Sequence, residues 1–152
     1  MRIWKAALIC RTAAAFGLNW FWEVGQTFAF ELQTPHNPIE VFAFCSLAAV
    51  IDALVTIGIY AVLTRFYSDN RAIFYFFAAA SGAMCAVFFE RLAFALGWWN
   101  YNEMMPIVPL LKVGLLPFVQ LTMLVPLAIW LAKKFLKSLT AEESETSVAT
   151  KF

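Results

Sequence analysis

The sequence predicts an all-α fold, a bundle of four transmembrane helices, and two observations support that prediction. Hydrophobic residues make up 62% of the 152 residues and charged residues only 14%, whereas soluble domains are about 45 to 50% apolar. The mean hydropathy is +0.74. Four apolar stretches approach or exceed the ~20 residues that a helix needs to cross a bilayer. They lie at 6–30, 39–63, 72–96 and 107–131.

Turn-forming residues separate the four stretches and set their ends. The breaks fall at 34–38, at 68–70 and at 97–106, where Pro, Asn, Asp, Ser and Gly are concentrated. A single transmembrane domain is therefore expected over residues 1–137. The last segment, 138–152, is rich in Glu, Ser and Thr and lacks periodicity, which predicts a disordered cytoplasmic tail.

The basic residues are unevenly distributed, and their distribution predicts the orientation. Most of the eleven Lys and Arg residues lie near the two ends of the chain or beside the second connection, and the first and third connections contain none. By the positive-inside rule, both termini and the second connection are cytoplasmic, and the loops around His36 and Trp99 face outward. We expect a multi-pass protein of a bacterial inner membrane.

Five acidic or basic side chains inside the predicted helices are the first candidates for a functional site. They are Glu23, Asp52, Glu90, Arg91 and Lys112. An ionisable group in hydrocarbon costs about 2.5 to 3.5 kcal/mol on insertion scales, so such groups usually face a protein interior or a wet cavity. Glu23, Glu90 and Lys112 are expected at one depth, about 8 to 10 Å below the outer surface. We predict a net-neutral cluster in which the two glutamates meet the two cations.

Polar residues also recur on one face of the first helix. Asn19, Glu23 and Gln26 are spaced i, i+4 and i+7, which places all three on the face that a bundle interior receives. Asp52 lies near the middle of the second helix, and Gln120 and Asn19 are expected at a comparable depth. We predict that these amides can donate hydrogen bonds to the Asp52 carboxyl group.

Aromatic residues flank the two glutamates closely enough to form the wall of a pocket. Trp20 and Trp22 lie beside Glu23, and Phe89 precedes Glu90. Carbocation chemistry needs a shielded acid, an apolar cavity and aromatic faces that stabilise positive charge. The candidate residues are, for catalysis, Glu23, Asp52 and Glu90 and, for substrate binding, Asn19, Trp20, Trp22, Gln26, Phe89, Arg91, Lys112 and Gln120.

Several other chemistries lack their residues in this sequence. There is no CxxC, HxxxH, GxSxG or glycine-rich phosphate loop, and the single histidine, His36, lies in a Pro-Asn turn. Cys10, Cys45 and Cys85 fall at three depths, which argues against a disulfide or a thiolate metal site. The charges are too dispersed for a nucleic-acid surface. We expect no metal, no cofactor and no nucleic acid.

Three prolines fall inside the predicted fourth helix. Pro109, Pro117 and Pro126 each remove a backbone donor and free a carbonyl group one turn earlier. We therefore expect a kinked helix whose free carbonyl groups face a cavity or a polar side chain.

Two runs of sequence resemble known membrane proteins. The run from Asn19 to Glu23, an N-x-x-W-E, is similar to the first acidic motif of the integral-membrane terpene cyclases, although those proteins have more helices. That resemblance implies that Glu23 protonates a double bond or epoxide of an isoprenoid, with Asp52 and Glu90 as candidates for the second acid. The W-E-x-x-Q of the first helix and the E-R-x-A-x-x-x-G-W-W-x-Y-x-x-x-M-P-x-x-P run beginning at Glu90 resemble small four-helix bacterial membrane proteins.

Three classes of function remain open. An intramembrane isomerase or cyclase, or a binder, of an apolar lipid or isoprenoid would use the carboxyl groups as acids. An accessory subunit of a larger membrane complex would use the same residues for interhelical ion pairs and hydrogen bonds. A small transporter would need to form a homo-oligomer, because four helices enclose little pathway.

Overall fold

The computed structural model describes residues 2–32, 37–67 and 70–149, and most of them are helical. The His36 turn therefore lies outside the described residues. The four helices are α1 (Arg2–Gln26), α2 (Pro38–Phe66), α3 (Arg71–Leu96) and α4 (Leu115–Ala149). Among the described residues, three helical spans are long and apolar enough to cross a membrane: α2, α3 and the Leu115–Leu139 part of α4.

Helix α1 differs from these three spans in its polar residues. It has 25 residues, which is enough to cross a bilayer at a rise of 1.5 Å per residue. Arg11, Asn19 and Glu23 interrupt its apolar surface. The helix ends at Gln26, earlier than the sequence predicts, and a single 3-10 turn at Thr27–Ala29 follows it.

The helices form a ring whose weakest neighbour contact is between α2 and α3. α1 packs on both α2 and α4, and α3 packs on α4. Small residues permit the last of these contacts, since α3 buries Ala78, Gly82 and Ala86 at every fourth position. A side chain at Gly82 would overlap the carbonyl oxygen of Leu121 on α4. Such close approach over small residues is typical of helix packing in membranes.

Two short antiparallel pairs of strands lie at the end of the bundle where α1 and α3 finish. β1 (Phe30–Leu32) pairs with β2 (Trp99–Tyr101), so that Phe30 lies opposite Tyr101. β3 (Ile107–Val108) pairs with β4 (Val113–Gly114) as a hairpin that leads into α4. The first pair joins the α1–α2 connection to the α3–α4 connection.

The predicted start of the fourth helix at residue 107 is wrong, because the β3–β4 hairpin occupies 107–114. Pro109 lies in its turn, where a missing backbone N–H costs nothing. Lys112 follows with a φ of 52°, a left-handed conformation that cannot continue a right-handed helix. A hairpin that is buried or faces lipid can have the same apolar composition as a helix. Composition alone therefore assigns this segment to a helix.

The predicted kinks at Pro109 and Pro117 are also wrong. Pro117 lies in the first turn of α4, where the backbone N–H needs no partner within the helix. Only Pro126 lies inside the helix. At the other end, α4 continues to Ala149, whereas the sequence predicts disorder from residue 138. The Ala and Glu residues there are good helix formers, and they extend a helix that is already nucleated.

Candidate functional site

The side-chain amide of Gln120 connects three helices near the middle of the bundle. Its Nε2 lies 2.7 Å from Oε1 of Glu23, 2.8 Å from Oδ2 of Asp52 and 3.1 Å from Oδ1 of Asn19. Gln120 is 2% exposed and Asn19 is 0% exposed. Buried polar groups must be paired to avoid a desolvation cost. Gln120 on α4 is therefore the common partner of acids from α1 and α2.

The orientation of this amide is set by Trp22. The indole Nε1 of Trp22 donates to Oε1 of Gln26 at 3.1 Å, and Nε2 of Gln26 donates to Oε1 of Gln120 at 2.9 Å. An indole N–H can only donate, so Gln26 must turn its oxygen toward Trp22 and its nitrogen toward Gln120. As a consequence, Gln120 must present its nitrogen to Glu23 and Asp52.

Asn19 supports the same arrangement from the other side. Its Nδ2 donates to the carbonyl oxygen of Ala15 at 2.9 Å, which leaves Oδ1 as the atom that faces Gln120. The cluster therefore contains three acceptors around one amide nitrogen that carries two hydrogens. A proton held between the two carboxyl groups can supply a hydrogen bond that the two hydrogens of this nitrogen do not.

Glu23 and Asp52 are neighbours in an apolar setting, and neither has a basic partner among the residues that the structure describes. Both carboxyl groups lie within hydrogen-bonding distance of the same nitrogen. The hydroxyl group of Thr56, one turn along α2, bonds the backbone carbonyl of Asp52 at 2.8 Å rather than its side chain. Two carboxyl groups held this close, with no cation between them, are arranged to share one proton.

Glu90 has a different partner, Tyr101, on the strand β2. The Tyr101 hydroxyl donates to Oε2 of Glu90 and accepts from the backbone N–H of Gly114 at 2.6 Å. A Cβ at Gly114 would lie 3.0 Å from that hydroxyl oxygen, so glycine permits the close approach. Burial raises the pKa of Tyr101 above its usual range, and so do its hydrogen bond to Glu90 and the negative charge of Glu90. Tyr101 therefore remains a donor to Glu90 at neutral pH.

A partly enclosed cavity of about 360 Å³ lies beside both groups of acids. It lies between α2 and α3, toward the end of the bundle that holds the β1–β2 pair. Its polar lining consists mainly of the acids and amides already described, and the remainder is mostly apolar. The lining includes Glu23, Gln26, Ala48, Asp52, Phe89, Glu90, Trp98, Trp99 and Gln120.

Apolar side chains form the rim of this cavity. Leu47 is 60% exposed and Trp98 is 53% exposed, and Phe44 and Ile51 on α2 are also exposed. The indole Nε1 of Trp99 is buried beside Glu90 without a hydrogen bond of normal geometry. A rim of this composition matches hydrocarbon better than water, while the interior offers a few convergent polar groups.

The predicted cluster of two glutamates and two cations does not form. Arg91 and Lys112 are exposed, and Nη2 of Arg91 donates to the carbonyl oxygen of Leu111 at 2.9 Å. Neither cation pairs with Glu23 or Glu90. The prediction fails because it places Lys112 on a helix at the depth of the glutamates, whereas Lys112 lies in the β3–β4 turn.

The remaining predicted site residues divide into two groups. Gln26, Phe89 and Gln120 line the cavity with the three acids, and Asn19 contacts Gln120 from behind. Trp20 and Trp22 do not line this cavity. Nε1 of Trp20 donates to Oγ of Ser46 at 3.2 Å, outside the acid cluster, whereas Trp22 acts on the cluster through Gln26.

Two residues of the site are missing from the sequence-based list, Tyr101 and Trp99. Both lie in the connection at 97–106, whose aromatic residues predict either a belt at the membrane interface or a lid over the polar residues beneath it. Their positions depend on the β1–β2 pairing, which places Leu32 opposite Trp99. A strand of three residues is too short for its alternation of apolar and polar residues to be recognised in the sequence.

Comparisons with models of protein families, with curated proteins and with solved structures find no match to this chain. The chemistry of the site therefore rests on its own residues and geometry.

Proposed function

We propose that this chain is an integral membrane protein that binds the end of an apolar lipid or isoprenoid in the cavity between α2 and α3 and performs acid–base chemistry on it. The observation that carries the proposal is the position of the Glu23–Asp52 pair at the polar end of an otherwise apolar cavity. The volume of about 360 Å³ is within the usual range for small-molecule sites.

The reaction that suits this site is an isomerisation or cyclisation. Glu23 donates its proton to one carbon of a double bond, and the resulting carbocation lies against the aromatic faces of Phe89 and Trp99. Loss of a proton from a neighbouring carbon to the Asp52 carboxylate ends the reaction. Asp52 then returns a proton to Glu23, so the reaction consumes no co-reactant. Gln120 and Gln26 hold the two acids in place as positioning residues.

The proposed topology has both termini in the cytoplasm and α1 as a fourth membrane-spanning helix. The distribution of basic residues supports this orientation, and the length of α1 and its packing between α2 and α4 support its insertion with the others. The cavity then lies in the outer half of the bilayer, with its apolar rim facing lipid. A bacterial inner membrane is the proposed location.

The test uses protein purified in lipid nanodiscs, with native mass spectrometry to identify any retained apolar lipid. Incubation in D2O then shows whether deuterium enters carbon positions of that lipid. We expect incorporation by the wild type, and loss of at least tenfold in Glu23→Gln with the lipid still retained. Retention of the lipid with unchanged incorporation in Glu23→Gln would contradict catalysis by Glu23.

A second variant tests the cavity without altering an acid. Ala48→Phe fills the space between α2 and α3, and we expect loss of the retained lipid from an assembled protein. The matched control is Val50→Phe on the same helix, because Val50 is 44% exposed and does not line the cavity. If both variants retain the lipid equally, the cavity is not its site, and the polar cluster serves to hold the helices together as in an accessory subunit.

A further inference from the structure

A second, more open pocket lies between α3 and the β3–β4 hairpin. Its volume is about 510 Å³, and it is lined by Arg91, Phe94, Ala95, Tyr101, Ile107 and Lys112. Glu90 lines the cavity and Tyr101 lines this pocket, so the contact between them separates the two sites. The acid cluster and this pocket can therefore bind different ligands.

The charged groups among the described lining residues of this pocket are both positive. They are the guanidinium group of Arg91 and the ammonium group of Lys112. Arg91 uses Nη2 for the carbonyl oxygen of Leu111, which fixes the guanidinium against the hairpin and leaves further N–H donors for a ligand. A guanidinium presented in this way matches the oxygens of a phosphate group.

The backbone holds Lys112 in place beside Arg91. Lys112 has a φ of 52°, a conformation that few residues other than glycine adopt. Its N–H bonds the carbonyl oxygen of Val108 at 2.8 Å and closes the hairpin turn. A residue kept in such a conformation often serves a specific position, and here that position brings a second cation to the pocket.

Apolar side chains surround the two cations. Phe94, Ala95 and Ile107 line the pocket, and Leu110 at the tip of the hairpin is 95% exposed. A free phosphate ion would use only the charges, whereas a lipid would also use these apolar surfaces. The arrangement of cations beside exposed apolar groups is that of a membrane interface.

We propose that Arg91 and Lys112 bind the phosphate group of an anionic membrane lipid, whose chains lie against Phe94, Ile107 and Leu110. This site is independent of the acid–base chemistry proposed for the cavity. It assigns a role to Arg91 and Lys112, the two cations that the acid cluster does not use.

The test compares thermal stability in nanodiscs of phosphatidylcholine with and without phosphatidylglycerol. We expect phosphatidylglycerol to raise the melting temperature of the wild type by several degrees and to remain bound in native mass spectrometry. Arg91→Gln and Lys112→Gly should each remove at least half of that shift. Glycine accepts the φ of Lys112, so Lys112→Gly removes the ammonium group without a backbone cost and remains informative if Arg91→Gln does not fold.

Two controls separate the outcomes. Arg65→Gln removes an exposed cation in the last turn of α2, away from this pocket. This variant should keep the full shift in melting temperature. Inorganic phosphate, added to protein in phosphatidylcholine alone, should give no comparable shift. The proposal is overturned if both pocket variants respond to phosphatidylglycerol as the wild type does, if the wild type shows no preference for it, or if inorganic phosphate stabilises the protein equally.

Discussion

Trp22 determines which atom of the Gln120 amide faces the acids, although the two side chains are linked only through Gln26. The indole N–H of Trp22 donates to Gln26, and Gln26 donates to Gln120. This chain of hydrogen bonds has a single possible direction. The indole of Trp22 at the edge of the cluster therefore makes Gln120 present its N–H donors to Glu23 and Asp52 at the centre.

Substitution of Trp22 by Phe should therefore disturb the acids more than the fold. Loss of one N–H donor costs about 1 kcal/mol of stability, and it allows the Gln26 and Gln120 amides to turn over. We expect a large loss of deuterium incorporation in Trp22→Phe. The matched control is Trp20→Phe, which removes an indole donor to Ser46 outside the cluster. Equal incorporation by both variants would contradict a directed chain.

Gln120→Leu should be strongly destabilising. It leaves Asn19, Glu23, Gln26 and Asp52 without their common partner, and each buried unsatisfied group costs about 1 to 3 kcal/mol. We expect a marked decrease in the thermal unfolding temperature in detergent. Thr122→Val on the same helix is the control, since the Thr122 hydroxyl bonds only the carbonyl of Phe118 within its own helix. Similar decreases for the two variants would show that Gln120 does not join the helices.

The α3–α4 contact can be tested at Gly82. A Cβ there would overlap the Leu121 carbonyl oxygen, so Gly82→Ala must separate the two helices. We expect a loss of several degrees in melting temperature. Gly58→Ala is the control, because a Cβ at Gly58 meets nothing within 4 Å, and alanine in a helix is favoured over glycine by about 1 kcal/mol. Gly58→Ala should thus be neutral or stabilising, and a stable Gly82→Ala would contradict the close contact.

The Glu90–Tyr101 contact predicts a dependence of stability on alkaline pH. Burial, with Glu90 beside it, raises the pKa of Tyr101 in the folded protein, whereas tyrosine in an unfolded chain ionises near pH 10. The contribution of Tyr101 is therefore full below about pH 10 and declines as the pH rises above it. We expect the melting temperature of the wild type to fall more steeply above about pH 10 than that of Tyr101→Phe. Parallel curves would contradict this linkage.

The proposed orientation can be tested by cysteine labelling in intact cells. In a background without Cys10, Cys45 and Cys85, we expect Glu103→Cys to react with a membrane-impermeant maleimide. Lys134→Cys should react only after lysis. Both positions are exposed, so access depends on the side of the membrane. The reverse labelling would place the cavity in the inner half of the bilayer.

The parts of the site that lie on regular helices could be predicted from the sequence. The spacing of Asn19, Glu23 and Gln26 places them together, and the comparable depth of Asp52 and Gln120 anticipates their hydrogen bond of 2.8 Å. Those predictions need only helical geometry. Along a straight helix, the depth of a residue and the face on which it lies follow from its position in the sequence.

The parts that depend on the connections could not be predicted. The apolar run predicts a depth for Lys112 as if the helix continued through Pro109, and the hairpin turn removes Lys112 from the acids. Tyr101 reaches Glu90 through the pairing of two three-residue strands, which no periodicity reveals. The direction set by Trp22 also needs the hydrogen-bond partners themselves, since sequence does not say which atom of an amide faces which neighbour.

The β1–β2 pair imposes an order on the assembly of the protein. β1 follows the first helix, but its partner β2 follows the third, as the pairing of Phe30 with Tyr101 shows. During synthesis, β1 therefore has no partner strand until the third helix and β2 have been made. Only then can β1 pair with β2, the strand whose Tyr101 contacts Glu90. The acid cluster is completed later still, when α4, which follows β2 in the chain, brings Gln120 to Glu23 and Asp52.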